Sequence, residues 1–381
     1  MESMHEAVVD AVDQALKALA IKEKDQDWQP FAAWEVIWFM MIQVATAYII
    51  GPDFGQDPTY IQRCVDFCLQ ASEFRDYRGM FPESVRPRLV SLSRPGRRLH
   101  ATIARAKQQL LPEIRQRIAR TRDTKLAAGQ FRHTLLDASI LIKMKNGAIG
   151  RDAALADEEK QASILAGDCL LSALEIAYPI AAYVIGMINY SIADPGYADV
   201  LRDEIRAALQ TTGGTWTIDI LDQMPRLESF ARETVRCDTT SIFTATRRLQ
   251  KPVRLDSIGR TLNEGSYVTL PAQWLHQNPA VYPDPERFDG TRFYDSDAHR
   301  CATRVSTGTP DFVPFGYGAE MCPGRDLGMR QARLAFAKIL MAYDLDSYPV
   351  RGLKQPNKAS SPTASVDWEF KLQWRRRTSQ S

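Results

Sequence analysis

The chain has little cysteine, little histidine and almost no net charge: its 381 residues carry six cysteines, five histidines and a formal charge of +2. That balance leaves no basic excess for a nucleic-acid partner. Cys64, Cys68, Cys169, Cys237, Cys301 and Cys322 are too scattered for a disulfide framework, which fits a reducing compartment. Cys64 and Cys68 stand at helical spacing, but no Cys/His pair nearby completes a zinc site. The opening stretch MESMHEAVVDAVDQALKALAIKEK is polar and amphipathic, without a signal-peptide pattern. The uncharged run Val36–Gly51 falls short of the roughly 20 residues that span a bilayer. It reads as a buried core helix, and no transmembrane span is expected. No internal repeat is present, and low complexity is confined to a polar stretch near Lys354–Ala364. The Arg375–Arg377 run reads as a solvated tail.

What is there is a globular composition, 45% hydrophobic and 25% charged, in a chain long enough for a large core. Apolar residues recur at helical spacing over Val8–Leu19, Tyr60–Ala71 and Leu99–Ile118. A long apolar segment from about Ser163 to Tyr190 holds Pro179, which predicts a kink or a local loss of hydrogen bonding. Asp194–Pro195 ends it before an amphipathic helix at Tyr197–Leu209. After Gly213–Gly214 a helix covers about Pro225–Cys237, with Pro225 suited to its first turn. Short β-prone pieces follow at Phe243–Leu249, Val253–Asp256 and Ser266–Leu270. Asn278–Phe288 then reads as ordered loop, and a helix from about Arg325 to Tyr343 closes the core. The expected fold is mainly α with a small β part.

Chemistry concentrates in PFGYGAEMCPGRDLG. Gly316, Gly318 and Gly324 permit backbone angles and close approaches that a Cβ forbids. Cys322 lies just before Pro323 and the start of a helix, where N–H groups and the dipole favour a thiolate. An anionic sulfur on a glycine platform suits a haem iron as axial ligand; the plainer alternative is a buried cysteine in a turn.

The ten-residue pattern resembles the Phe-x-x-Gly-x-x-x-Cys-x-Gly signature of cytochrome P450s, matched at Phe315, Gly318, Cys322 and Gly324. Glu233-Thr-Val-Arg236 matches that family's Glu-x-x-Arg, and Asp284-Pro-Glu-Arg-Phe288 its later Pro-Glu-Arg-Phe, in the family's order. The resemblance runs from about residue 5 to residue 350. In Phe315–Arg325 and Phe81–Leu89 it is similar to fungal enzymes that oxidise terpenoids and other natural products. It implies a P450-like fold lacking the N-terminal anchor and early helices, as a single domain over 1–381. About 1–210 would be its helical part, about 211–350 the core helix, strands and loop, and 351–381 C-terminal strands and tail. It implies a b-type haem whose iron is bound by Cys322 in a loop shaped by Phe315, Gly316, Gly318 and Gly324. Arg248, or its neighbour Arg247, would meet a haem propionate. Glu233, Arg236 and Arg287 would form a buried ion-pair network bracing that loop. The implied partners are a small apolar substrate and an NADPH-dependent reductase, and the implied place is the cytoplasm or the surface of the endoplasmic reticulum.

The sequence departs from the family in three places. No Trp-x-x-x-Arg precedes Val36–Gly51. Glu320, two before the cysteine, stands where relatives carry Arg or His, and it would repel a propionate and weaken haem binding. The acid/alcohol pair of the family's long central helix is replaced by Tyr178 and Pro179, followed by Ile180. Glu175 and Tyr178 are either a substitute acid/base set or simply solvent-facing. Three readings follow: a haem-thiolate monooxygenase acting on a terpenoid-like product, a non-oxidative and haem-free cyclase or lyase using the same pocket, and an inactive binding protein.

Overall fold

The computed structural model describes residues 2–20, 27–79, 93–123, 134–149, 155–347, 357–358, 365–366 and 371–377. The Phe81–Leu89 segment used for the subfamily reading lies outside them. The chain divides into two compact units, Met1–Glu23 with Trp38–Tyr178 and Lys24–Ile37 with Pro179–Ser381.

The first unit is helical. Helix α1 (Glu2–Ala20) buries Val8, Val12 and Ala15 along one stripe. After strand β1 (Gln29–Ala32), α2 (Ala33–Ile49) begins in the second unit and continues into the first. Two helices follow, α3 (Pro52–Gln56) and α4 (Pro58–Gly79), and then α5 (Arg94–Asp123). On α5, Ala106, Leu110, Ile114 and Ile118 recur every four residues and are fully buried, packing on the Tyr60, Ile61 and Cys64 face of α4. Helix α6 (Leu135–Lys145) starts with a capping box in which Thr134 and Asp137 satisfy each other's backbone N–H. Arg117 of α5 donates to both, at 2.9 and 3.1 Å. Burial pushes the Cys64 and Cys169 thiols up to about 12, so these cysteines are inert core residues.

Helix α7 (Leu155–Ala193) runs through Pro179 without interruption. By length and composition its Asp157–Ala193 stretch is long enough to cross a membrane, whereas α2 is too short. A buried share of 61% of its apolar window marks α7 as a core helix.

In the second unit, α8 (Pro195–Thr211) is capped by Asp194 with Pro195 in its first turn. Its Glu204 accepts from the N–H groups of Arg226 and Leu227, both at 2.9 Å, and so caps α9 (Pro225–Cys237) from outside. Helix α9 is buried nearly all round. Strands β2 (Phe243–Arg248), β3 (Val253–Leu255), β4 (Arg260–Leu262) and β5 (Tyr267–Pro271) form two antiparallel pairs, β2 with β5 and β3 with β4. After the short helix α10 (Ala272–His276), a loop leads to the small hairpin of β6 (Tyr294–Asp295) and β7 (Arg300–Cys301). Helix α11 (Arg325–Ala342) follows, with Phe336 stacked on Phe230 of α9 at 5.8 Å.

Strands β8 (Tyr343–Ser347), β9 (Asn357–Lys358), β10 (Ser365–Val366) and β11 (Lys371–Arg376) end the chain. The three-stranded sheet has the order β1-β11-β8, all antiparallel. The C-terminal arginines are therefore not a tail. Arg375 and Arg377 both pair with Asp344 across this sheet, and Trp374 packs between Phe31 and Tyr343. An alternating strand with Leu372 and Trp374 turned inward explains the difference.

Candidate haem-thiolate site

Phe312–Gly324 winds back on itself before α11. Gly316 donates to the Val313 carbonyl at 3.2 Å and has φ +82°; Gly318 has φ +77°. Side chains rarely adopt these angles, so glycine is required at both turns. The Cys322 N–H donates to the Phe315 carbonyl at 2.8 Å, which fixes the cysteine across the loop. Its own carbonyl accepts from Arg325 at 2.7 Å, in the first turn of α11. The Cys322 side chain is exposed, and nothing lies within 4 Å of where a Cβ on Gly318 or Gly324 would point. A sulfur held out at a helix start, beside glycines with open space before them, fits a haem iron and the flat ring around it. Cys322, Phe315, Gly316, Gly318 and Gly324 thus lie together in this loop.

The loop is anchored from behind. His276 accepts the Val313 N–H at its Nε2 (3.0 Å), while its carbonyl accepts from Arg236 (2.7 Å). Burial lowers the His276 pKa to about 4, so the ring is neutral at pH 7. With Nε2 accepting, the proton sits on Nδ1, which is buried and has no hydrogen-bond partner. Arg236 forks onto Glu233 with two bonds of 2.8 Å, and both side chains are fully buried. A fork of this kind is the strong, geometrically fixed form of an ion pair.

The third arginine of the network is Arg292, not Arg287. Arg292 Nε donates to both Glu233 oxygens at 3.0 and 3.1 Å, whereas Arg287 contributes only its carbonyl, which accepts from Arg292 at 3.1 Å and from Arg236 at 3.5 Å, and its side chain is exposed. Two successive turns account for this. Asp284 has φ +47° and starts a turn closed by the Arg287 N–H, which leaves that side chain outside. Asp289 starts the next turn, closed by the Arg292 N–H at 3.0 Å, and this one faces Glu233. At Gly290 a Cβ would lie 2.6 Å from the Phe230 ring, so only glycine lets the second turn seat. The available signal was a second Arg-Phe pair, Arg292-Phe293, five residues after the first. His276 carried no pattern at all.

Arg248 and Arg247 lie exposed on β2, with Arg247 donating to its neighbour's carbonyl. Glu320 is exposed on the short 3-10 turn Gly318–Glu320. Glu175 is exposed on α7 and Tyr178 half-buried, its phenol pKa raised by burial and lowered less by Arg75. Both belong to the first unit and Cys322 to the second.

Fold and loop together define the class of haem-thiolate proteins. Residues 1–370 match the family model Cytochrome P450, and the chain belongs to that family. It is 28% identical to cytochrome P450 monooxygenase verB of Clonostachys rogersoniana over 99% of this chain and 73% of that one. It is 33% identical to bicoumarin synthase ktnC of Aspergillus niger over 88% of this chain and 80% of that one. Among solved structures, the retinoic acid-bound cyanobacterial CYP120A1 superposes with a TM-score of 0.70 at 17% identity, covering 99% of this chain and 75% of that one. That likeness speaks to fold alone: mainly α, with small sheets.

Proposed function

We propose that the chain is a haem-thiolate monooxygenase of fungal natural-product metabolism that takes a small phenolic aromatic, with electrons from an NADPH-dependent reductase. The observation that carries the reading is Cys322, exposed and pinned by the Phe315 carbonyl on a glycine loop at the start of α11. The name of a relative at 33% identity, bicoumarin synthase, points to an aromatic phenol rather than the terpenoid expected from sequence. A bound b-type haem supplies the activation of oxygen. The chain's own residues hold the sulfur in place through His276, Arg236 and Glu233, and Arg248 is the propionate candidate on β2.

The protein reconstituted with hemin, reduced and exposed to carbon monoxide, is expected to show the Soret band of a thiolate-ligated haem. Cys322→Ala loses that band while its melting midpoint stays near native, because the side chain is exposed. With reductase, NADPH and 7-hydroxycoumarin, the native protein yields hydroxylated or coupled product. A thiolate-type spectrum that survives in Cys322→Ala overturns the ligand assignment. Turnover of a pathway intermediate without haem or NADPH favours the cyclase instead.

A further inference from the structure

In the second unit a cleft of about 430 Å³ opens between α8, the first turn of α9 and the β6–β7 hairpin. Small-molecule sites commonly have this size. None of the described residues of the haem loop lines it. Leu221 and Met224, both buried, and the ring of Tyr294 give it an apolar wall. Its polar groups are unevenly spent. Among the described residues three carboxylates line the cleft, and each is engaged within the protein. Glu204 accepts from the Arg226 and Leu227 N–H groups, both at 2.9 Å. Glu228 accepts the Val305 N–H at 2.6 Å and pairs with buried Arg333. Asp222 accepts from Arg330 at 3.1 Å.

The guanidiniums at the cleft are not spent in that way. Arg226 lies over the Tyr294 ring at 4.9 Å, and among the described residues its side chain meets no carboxylate. Arg304 stands 3.8 Å from Asp222 and Arg300 4.0 Å from Asp295, long distances for an ion pair, and both side chains are more than half exposed. The arrangement is held in place. The Tyr294 hydroxyl lies 3.1 Å from His299 Nδ1, which fixes the ring that carries Arg226. A guanidinium stacked on a ring keeps its N–H edge free for a two-pronged oxyanion. Behind the wall, buried Arg232 donates to the carbonyls of Arg304 and Thr307, at 2.7 and 3.0 Å, and so adds charge that no direct carboxylate contact neutralises.

We propose that this cleft is a second ligand site, which takes a small organic phosphate. Acceptors that are spent beside donors that are free select an anion. Arg226, Arg300 and Arg304 together favour a doubly charged phosphate over a single carboxylate. The apolar wall of Leu221, Met224 and Tyr294 gives room to a compact organic body beside the phosphate. Binding here moves no electron and breaks no bond. It does not rest on the monooxygenase reading, because Cys322 and its loop take no part.

Calorimetric titration of the full chain, with and without hemin, tests the site with phenyl phosphate, inorganic phosphate and phenol. Phenyl phosphate is expected to bind one to one with the same affinity in both preparations. Inorganic phosphate is expected to bind about tenfold more weakly, and phenol not at all. Arg226→Ala is expected to weaken phenyl phosphate by about tenfold or more, through loss of a charge-assisted fork. Arg300→Ala, at an exposed side chain, is expected to weaken it about threefold. That exposed variant keeps the test open if Arg226→Ala fails to fold. Arg254→Ala, an exposed arginine on β3, serves as the control and is expected to bind as native. No heat with phenyl phosphate at about 10 mM overturns the proposal. So do native affinities in both cleft variants, or equal weakening in Arg254→Ala, which would be a general effect of charge. Binding that hemin abolishes would put the phosphate at the haem loop instead. Inorganic phosphate that binds as tightly as phenyl phosphate would overturn the organic ligand.

Discussion

A neutral imidazole ties the haem loop to the ion network behind it, and its protonation is the pH weakness of the site. His276 is fully buried, and its folded pKa is about 4 against 6.5 for a free histidine. Its contribution to stability is complete above pH 6.5 and is lost as pH falls through 6.5 toward 4, because the unfolded chain takes the proton first. The shift corresponds to about 3 kcal/mol. Thermal melts at pH 7.5 and pH 5 are expected to show native protein losing stability that His276→Gln does not lose, since an amide oxygen also accepts the Val313 N–H and does not titrate. Equal losses in both proteins would mean that other groups set the acid limit. At this scale Cys322 was legible and His276 was not. The cysteine sits among glycines that announce unusual backbone within ten residues. The histidine works through a partner, Val313, that chain length hides.

Helices were readable because burial repeats along them; turns that aim one side chain inward were not. The stripe of α5 and the first-turn Pro225 of α9 follow directly from sequence. Which arginine reaches Glu233 depends on two consecutive turns between α10 and β6, and local pattern favours the wrong one. A paired test separates them. Arg292→Ala and Arg236→Ala each leave Glu233 buried with one guanidinium fewer, and each is expected to cost roughly 3–5 kcal/mol. Arg287→Ala, an exposed side chain, is expected to stay within about 0.5 kcal/mol of native. Chemical denaturation of the three variants reads these differences, and a large loss in Arg287→Ala with none in Arg292→Ala would reverse the assignment. Packing at Gly186 belongs to the same scale. Gly186→Ala puts a methyl 2.9 Å from Asp238 and Thr234, so it is expected to destabilise by about 1–3 kcal/mol through overpacking. A midpoint equal to native would mean that α7 shifts to make room.

Across the whole molecule, two helices run from one compact unit into the other, α2 and α7. Covalent helix of that length is a reason for the units to melt together, and we propose that the chain behaves as one domain. Haem offers a way to measure it. A ligand that binds only the folded state at about a hundred times its Kd adds about 2.7 kcal/mol. Unfolding entropy grows by about 2 cal/mol/K per residue, so that addition raises the midpoint of the entire 381-residue chain by about 3 °C in a single transition. If the units melt separately, only the one holding Cys322 gains, and because it is smaller than the whole chain its midpoint rises by about 6 °C while the other transition stays in place. Calorimetry of the native protein with and without hemin distinguishes the two outcomes. Cys322→Ala in the same scan is the control, since without the thiolate the hemin-dependent rise should shrink in whichever transition shows it.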